Sequence, residues 1–377
     1  MGKAQNDIPA LVARARHAVN DGRFEAARAL CARVFETDPG NLGALQAYAT
    51  ATCFTQDDPV FARLETFAGA SGIPDKAMSQ LNFMRGKALD DMGRQEEAFG
   101  AFVEANRLKR ARFDAGAKRA FAGRLIDAVQ ATPAPALPQS PPRMVFILGM
   151  PRSGSTLLAQ MLGAHPRITS LGEVQAMGPA LTTLHGAQVR LPAFISAIDE
   201  TVLGQARARY LQDVPQAAMN SGHVLVDKMP ENYWLAWAIP MLFPDALIVH
   251  MRRERLAVCW SCFRNDFGRG HEYSYDFSDL MTQYDTQEAL CAAWKTRDPD
   301  YWLDVVLDDL ATTPRQVVEP LLDRLGLSWD AACLTPERSA GPVRTLSKWQ
   351  VRRGIDPGIA RGWRAYLPMM EMAWGPF

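Results

Sequence analysis

The chain has 377 residues, beyond the size at which one hydrophobic core usually keeps growing, so two domains are expected. The charges of its 41 basic and 41 acidic side chains cancel, so the formal net charge is zero. The lack of a basic excess argues against nucleic-acid and membrane-surface binders, and any anion site must therefore be local. Neither a signal peptide nor a membrane span is visible, and the six scattered cysteines are typical of reduced thiols, which together predict a cytoplasmic protein.

The N-terminal third has a helical pattern. From Asp7 to about Arg112, alanines and leucines recur at three- and four-residue spacing. The segment 22–28 resembles 93–99 in character, and both resemble the tetratricopeptide repeat. Because residues 51–75 fit that spacing poorly, we expect about three repeats with one degenerate, or else a plain helical bundle. Residues 1–130 are assigned to this helical domain, whose groove would hold a peptide partner or support self-association as a homodimer.

The proline-rich segment 131–142 is predicted to be a linker, because proline removes backbone donors and restricts its neighbours. After it come short apolar runs at Met144–Leu148, Val224–Val226 and Ala246–His250, separated by helical segments. This pattern predicts an α/β domain over residues 143–377, with a parallel sheet covered on both faces.

The first strand runs into a glycine-bracketed loop and then an apolar helix. Gly149 and Gly154 permit a tight turn, and the amides from Ser153 to Thr156 would converge on an anion at the helix N-terminus. The predicted anion-binding residues of the loop are Gly149, Pro151, Arg152, Ser153, Gly154, Ser155, Thr156 and Leu157. A nucleoside-triphosphate loop normally has lysine where this chain has Ser155, so the pattern argues against an ordinary ATPase or kinase.

The loop sequence from Gly149 to Thr156 resembles that of the sulfotransferases that use 3'-phosphoadenosine 5'-phosphosulfate (PAPS), in particular the tetratricopeptide-linked and tyrosylprotein branches. The resemblance implies that the loop binds the 5'-phosphosulfate, that PAPS is the donor and that 3',5'-ADP is the product. It also implies that Arg152 holds the sulfuryl group.

The same resemblance assigns roles further along the chain. Glu173, shortly after the loop's helix, corresponds to the general base that takes the acceptor's proton. His165 is the competing base and ranks lower, because it lies in a turn before proline. Lys228, at the end of a short strand, corresponds to the lysine that stabilises the leaving phosphate.

A second anion site is expected where the next strand ends. In the family, an arginine there and a serine on the following helix bind the 3'-phosphate, and these correspond to Arg253 and Ser261. The family commonly continues with Asp and Pro, where this chain has Glu254 and Arg255. Near the C-terminus, Ser347 and Arg352 correspond to donor contacts of a late loop.

The resulting hypothesis is an in-line transfer without a metal ion, with Arg152 and Lys228 neutralising charge. Two alternatives remain open: a helical-repeat interaction scaffold with an inactive sulfotransferase domain, and an atypical phosphotransferase. The acceptor is expected to be a hydroxyl, and protein tyrosine, carbohydrate, lipid and small-molecule acceptors all remain open. Aromatic residues predicted either to line its cleft or to form core are Tyr233, Trp234, Trp237, Tyr273 and Tyr275.

Overall fold

The computed structural model describes residues 7–132, 135–184, 187–188, 191–336 and 361–377. The part that precedes the proline-rich segment is helical. Its helices are α1 (Ile8–Asn20), α2 (Phe24–Phe35), α3 (Leu42–Ala51), α4 (Pro59–Ala68), α5 (Asp75–Asp91), α6 (Gln95–Arg107) and α7 (Ala115–Gln130).

Short polar side chains start several of these helices. Asn41 accepts a 3.0 Å hydrogen bond from the amide of Ala44 in α3, and Asp114 accepts one of 2.8 Å from Ala117 in α7. Such caps satisfy amides that have no partner inside the helix. Helices adjacent in sequence also pack together, with α1 against α2 and α5 against α6.

Strands and helices alternate in the rest of the chain. The strands are β1 (Met144–Gly149), β2 (Ile168–Gly172), β3 (Thr183–Leu184), β4 (Ala187–Gln188), β5 (Val224–Lys228), β6 (Leu247–Arg252) and β7 (Trp302–Val306). The helices are α8 (Ser155–Gly163), α9 (Met177–Thr182), α10 (Glu200–Gln212), α11 (Gln216–Met219), α12 (Ile239–Leu242), α13 (Arg255–Phe263), α14 (Phe277–Arg297), α15 (Leu307–Thr312), α16 (Pro314–Arg324) and α17 (Leu367–Trp374). Single 3-10 turns occur at Ile195–Ala197, Pro230–Trp234, Ala236–Ala238, Glu272–Tyr275, Pro299–Tyr301, Ala331–Leu334 and Gly362–Tyr366.

The main sheet has five parallel strands in the order β2-β5-β1-β6-β7, and β3 pairs with β4 in a separate antiparallel ribbon. In the main sheet, Ile147 of β1 lies opposite Lys228 of β5, and Gly149 lies opposite Met251 of β6. The predicted fold class, a parallel sheet preceded by an all-helical region, is confirmed.

Both faces of the sheet are covered. Phe146 of β1 and Ile248 of β6 belong to a core built with α7, α10 and α14, whereas Val145 and Val249 pack with α8 and α16. This burial explains why the central strands β1, β5 and β6 each begin with an apolar run. It also places α7 on the sheet rather than among the preceding helices.

A third core joins α1 to α6 with α13, the start of α14 and the segment around Trp363 and Tyr366. The helical region therefore shares buried side chains with the α/β part. The proline-rich segment also touches that part, since the amide of Leu137 donates a 3.0 Å hydrogen bond to the carbonyl of Met241. Among the described residues, no helix combines the length and the apolar character that crossing a membrane requires.

Candidate active site

The predicted site residues lie at the carboxyl ends of neighbouring strands. Across the sheet, Glu173 follows β2, Lys228 ends β5, the glycine loop follows β1 and Arg253 follows β6. The carboxyl edge of an open parallel sheet is where such folds bind ligands. Segments far apart in the chain thus meet at one edge, with the loop in the centre.

The backbone of the loop requires its two glycines. Gly149 has φ 139°, and a Cβ there would lie 2.5 Å from the backbone oxygen of Met251 on β6. Gly154 has φ 98° and is the N-cap of α8, where it supplies no side-chain hydrogen bond to the helix. The first amides of α8 are therefore not capped by a side chain of their own N-cap residue.

Inside the loop, the Ser153 hydroxyl is buried and has no hydrogen-bond partner in the part of the chain that the structure describes. A buried hydroxyl in this state is unusual and points to a missing partner such as a ligand oxygen. Ser155 and Thr156 are also buried. The loop therefore places buried hydroxyl groups at the positive end of a helix.

Arg152 links the loop to the second predicted anion site. Its φ is 70°, which is uncommon for a residue other than glycine. Its Nε donates a 3.1 Å hydrogen bond to Oγ of Ser261, and Nη1 of Arg253 donates one of 3.1 Å to its backbone oxygen. Burial, followed by the charges of Arg264 and Arg253, lowers the pKa of Arg152 to about 10. The loop arginine and the predicted 3'-phosphate pair thus form one basic cluster.

Lys228 and Glu173 form an ion pair on the other side of the loop. The Lys228 ammonium donates a hydrogen bond to Oε1 of Glu173. The lysine side chain is 4% exposed and the glutamate side chain 31%. Burial lowers the pKa of Lys228, while the charge of Glu173 opposes that change. The predicted base and the predicted charge-stabilising group therefore contact each other directly.

Asp227, the residue before Lys228, was not assigned a role from the sequence. Its carboxylate is fully buried and accepts hydrogen bonds from the phenol of Tyr210 at 2.9 Å, from Asn232 at 3.3 Å and from the amide of Val174 at 3.4 Å. The last bond fixes the backbone next to Glu173. Burial raises the pKa of Asp227 to about 7, although these hydrogen bonds and Lys228 oppose the rise. The signal in the sequence was an acidic residue inside an apolar strand.

His165, the competing base, contacts backbone groups through both ring nitrogens. Its Nδ1 accepts a 3.1 Å hydrogen bond from the amide of Arg167, so its Nε2 carries the proton and donates to the carbonyl of Ser328 at 3.0 Å. Both ring nitrogens are occupied. His165 therefore has no lone pair with which to accept a proton from a substrate.

The remaining predicted positions are the two late-loop donor contacts and the aromatic residues of the acceptor cleft. Ser347 and Arg352 lie outside the described residues. Of the aromatic residues proposed for a cleft, Tyr233, Trp237 and Tyr273 are buried in the core, and Trp234 and Tyr275 are partly buried. The described residues contain no group of three or more histidine, cysteine or acidic side chains arranged to hold a metal ion.

Comparison with known proteins identifies the family. The model of the sulfotransferase family matches residues 142–331, which is half of the chain. The chain belongs to the sulfotransferase family. This confirms the resemblance deduced from the loop, and the match contains the loop, Glu173, Lys228, Arg253 and Ser261.

Three individual proteins resemble this sulfotransferase. An "Uncharacterized protein" of Aquifex aeolicus is 28% identical over 331 residues, covering 82% of this chain and 43% of its own length. Protein-tyrosine sulfotransferase 1 of Danio rerio is 24% identical over 222 residues, covering 57% of this chain and 62% of its own. The solved sulfotransferase domain of the Synechococcus PCC 7002 olefin synthase is 25% identical with a TM-score of 0.45, covering 62% of this chain and 91% of that domain. The chain thus spans about half the length of the curated relatives it matches.

Proposed function

We propose that this sulfotransferase moves the sulfuryl group of PAPS to a hydroxyl acceptor and releases 3',5'-ADP. The observation that carries the proposal is that an ion pair and a basic cluster flank the glycine loop at the same edge of the sheet. Lys228 and Glu173 lie on one side of the loop and Arg253 and Ser261 on the other, where Arg152 of the loop contacts both. A donor that carries phosphate at both its 5' and 3' positions would need two anion-binding groups, the loop with the ion pair for one and the basic cluster for the other.

The residues of the loop fit the 5' end of this donor. The amides that begin α8 and the unsatisfied hydroxyl of Ser153 are donors in a buried position, and anions at helix N-termini are bound by such groups. Arg253 and Ser261 would bind the 3'-phosphate, the group that distinguishes PAPS from ATP. Ser155, where nucleotide kinases of this loop type have lysine, favours the sulfuryl donor over ATP.

In the proposed reaction, the acceptor oxygen bonds to sulfur while the bond from sulfur to the phosphate oxygen breaks, and the electron pair leaves with the phosphate. Glu173 accepts the acceptor's proton on its carboxylate, whose Oε1 also accepts the hydrogen bond from Lys228. Lys228 then faces the leaving phosphate and offsets its growing charge, as does Arg152. The ion pair keeps both groups in position before the substrates arrive.

The acceptor is proposed as a hydroxyl, and the name of the Danio rerio relative makes a tyrosine peptide the first class to test. The tyrosylprotein branch follows its base with arginines that attract acidic peptides, whereas this chain has Gln175 and Pro179 at the corresponding neighbours. Neutral peptides, carbohydrates and small phenols therefore belong in the same screen. A tetratricopeptide-like helical region, a peptide or homodimer partner and a cytoplasmic location remain our predictions, the last supported by six free thiols.

The proposal is tested by calorimetric titration of PAPS, 3',5'-ADP and ATP into the purified chain. We expect the two 3'-phosphorylated ligands to bind and ATP to bind more weakly. Arg152→Ala and Arg253→Ala should each lower the affinity for 3',5'-ADP by about tenfold or more, since each removes a charged hydrogen-bond donor. Arg252→Ala is the matched control, because Arg252 adjoins Arg253 but pairs with Glu288 at 2.7 Å.

Two results would reject the proposal. Equal binding of ATP and 3',5'-ADP would favour the phosphotransferase alternative. Binding of 3',5'-ADP without release of it from PAPS in the presence of any acceptor class would favour the scaffold alternative with an inactive domain.

A further inference from the structure

The helix α13 lies between the basic cluster and the helical N-terminal region. On one side, Ser261 accepts the hydrogen bond from Arg152. On another, the ring of Trp260 packs on Phe99 of α6 at 5.5 Å and on Tyr366 at 4.4 Å between ring centres. One short helix thus has a predicted donor contact and a buried interface with the N-terminal helices.

Arg264, the C-cap residue of α13, is part of the same junction. Its Nη1 donates a 2.8 Å hydrogen bond to Asp90 of α5, and the phenol of Tyr366 donates to the other oxygen of that carboxylate. Asn106 of α6 also donates to the carbonyl of Phe263, at 2.8 Å. The position of the Arg264 side chain is therefore fixed by a residue of the helical region.

Arg264 also lies close to the basic cluster. It follows Ser261 by three residues, and positions three apart on a helix are neighbours on one face. Its charge is, after burial, the largest cause that lowers the pKa of both Arg152 and Arg253 to about 10. Asp90 offsets part of this charge, but three guanidinium groups beside one carboxylate leave the cluster net positive, which favours an anion.

We propose that Arg264 is a further donor-binding residue at the 3'-phosphate, and that Asp90 is its positioning residue. The helical region then completes the donor site through Asp90, in addition to any binding of partners. This inference rests on the proposed function, since it assigns a residue to the same donor.

The first test compares 3',5'-ADP with 5'-AMP, which lacks the 3'-phosphate, in calorimetric titrations of the full chain. Arg264→Met keeps the apolar stem and removes the charge. We expect it to lower the affinity for 3',5'-ADP by about tenfold and to leave that for 5'-AMP within about twofold, since one charged hydrogen bond is lost. An equal loss for both ligands, or no loss, would overturn the assignment.

Lys109→Met is the matched control. Lys109 of the helical region pairs with Asp266 at 2.7 Å, so this pair also joins that region to the segment after α13. We expect the variant to bind 3',5'-ADP like the original chain. A loss as large as that of Arg264→Met would show that general loosening of the junction, and not the Arg264 charge, controls binding.

The role of Asp90 is tested by coupling. Asp90→Ala should weaken 3',5'-ADP binding by roughly threefold, because the ligand must then order a long side chain that Asp90 no longer holds. In the Arg264→Met background the same change should have no further effect. Tighter binding in Asp90→Ala would show that Asp90 competes with the ligand for Arg264, and it would overturn the positioning role.

Inorganic pyrophosphate separates this inference from the proposed function. If the original chain binds neither PAPS nor 3',5'-ADP, the proposed function fails. Whether the three arginines bind an anion is then tested by measuring thermal unfolding with pyrophosphate as the only added ligand. Protection of the original chain that is lost in Arg264→Met supports a three-arginine anion site, and equal protection of both proteins rejects it.

Discussion

The phenol of Tyr210 donates a 2.9 Å hydrogen bond to the buried carboxylate of Asp227, one residue before the lysine of the candidate active site. Asp227 also accepts the amide of Val174, next to Glu173. This carboxylate thus connects α10, β5 and the segment after β2. Its hydrogen bonds therefore join the backbone next to Glu173 to the strand that ends in Lys228.

Asp227 should make folding stability depend on pH. Burial raises its pKa to about 7 in the folded state from an ordinary value of 3.8, so the folded chain holds this proton more tightly. The stabilisation of the folded state by this proton is complete below pH 3.8 and is lost as pH rises through about 7. We expect the free energy of unfolding, measured in denaturant relative to Asp227→Asn, to fall by about 2–3 kcal/mol between about pH 5 and 8. A difference that stays constant or rises with pH would contradict this.

Glu173→Gln should separate catalysis from donor binding. The amide cannot accept the acceptor's proton, so we expect turnover to fall by about 10²–10⁴-fold. The affinity for 3',5'-ADP should not fall, because the change releases Lys228 from its ion pair. Single-turnover rates and calorimetry measure the two effects. Glu231→Gln is the control, since Glu231 follows Lys228 closely but pairs with His271 at 3.5 Å. Retention of the original rate in Glu173→Gln would assign the base elsewhere.

Gly149→Ala should damage the loop, since the new Cβ would lie 2.5 Å from a backbone oxygen of β6 at φ 139°. We expect a loss of about 2–5 kcal/mol in unfolding free energy from strain and crowding. Gly204→Ala is the control substitution. Gly204 lies inside α10 with nothing within 4 Å of its Cβ position, so alanine should stabilise the chain by about 0.5–1 kcal/mol. Denaturant unfolding measures the free energy of unfolding of both variants. A Gly149→Ala variant as stable as Gly204→Ala would show that the loop tolerates a side chain.

His165→Ala should affect stability and not chemistry. Removing the ring leaves the amide of Arg167 and the carbonyl of Ser328 without their partner, and we expect a cost of about 1–2 kcal/mol. The turnover of the folded variant should stay within about threefold of the original, because the ring has no free lone pair. A hundredfold slower variant with normal donor affinity would instead make His165 the base.

The sequence predicted the central part of the fold and missed its edges. The strands expected near Met144, Val224 and Ala246 are β1, β5 and β6, the three inner strands of the sheet. These strands are largely buried on both faces, and each therefore begins with an uninterrupted apolar run. The edge strands β2 and β7 contain polar or exposed positions, such as Thr169 and Asp304, and lack this signal. The placement of α7 on the sheet was equally hidden, since an apolar helix face does not reveal its partner.

The sequence by itself determined the chemistry available to this protein, because the strand, the two glycines and the helix of the loop are contiguous, and their spacing alone specifies an anion-binding turn. Tertiary structure decided which side chains meet. Lys228 pairs with Glu173, Arg152 with Ser261, and Arg264 with Asp90, over separations of 55, 109 and 174 residues. Such contacts depend on the order of strands in the sheet and on helix packing, which local patterns do not encode.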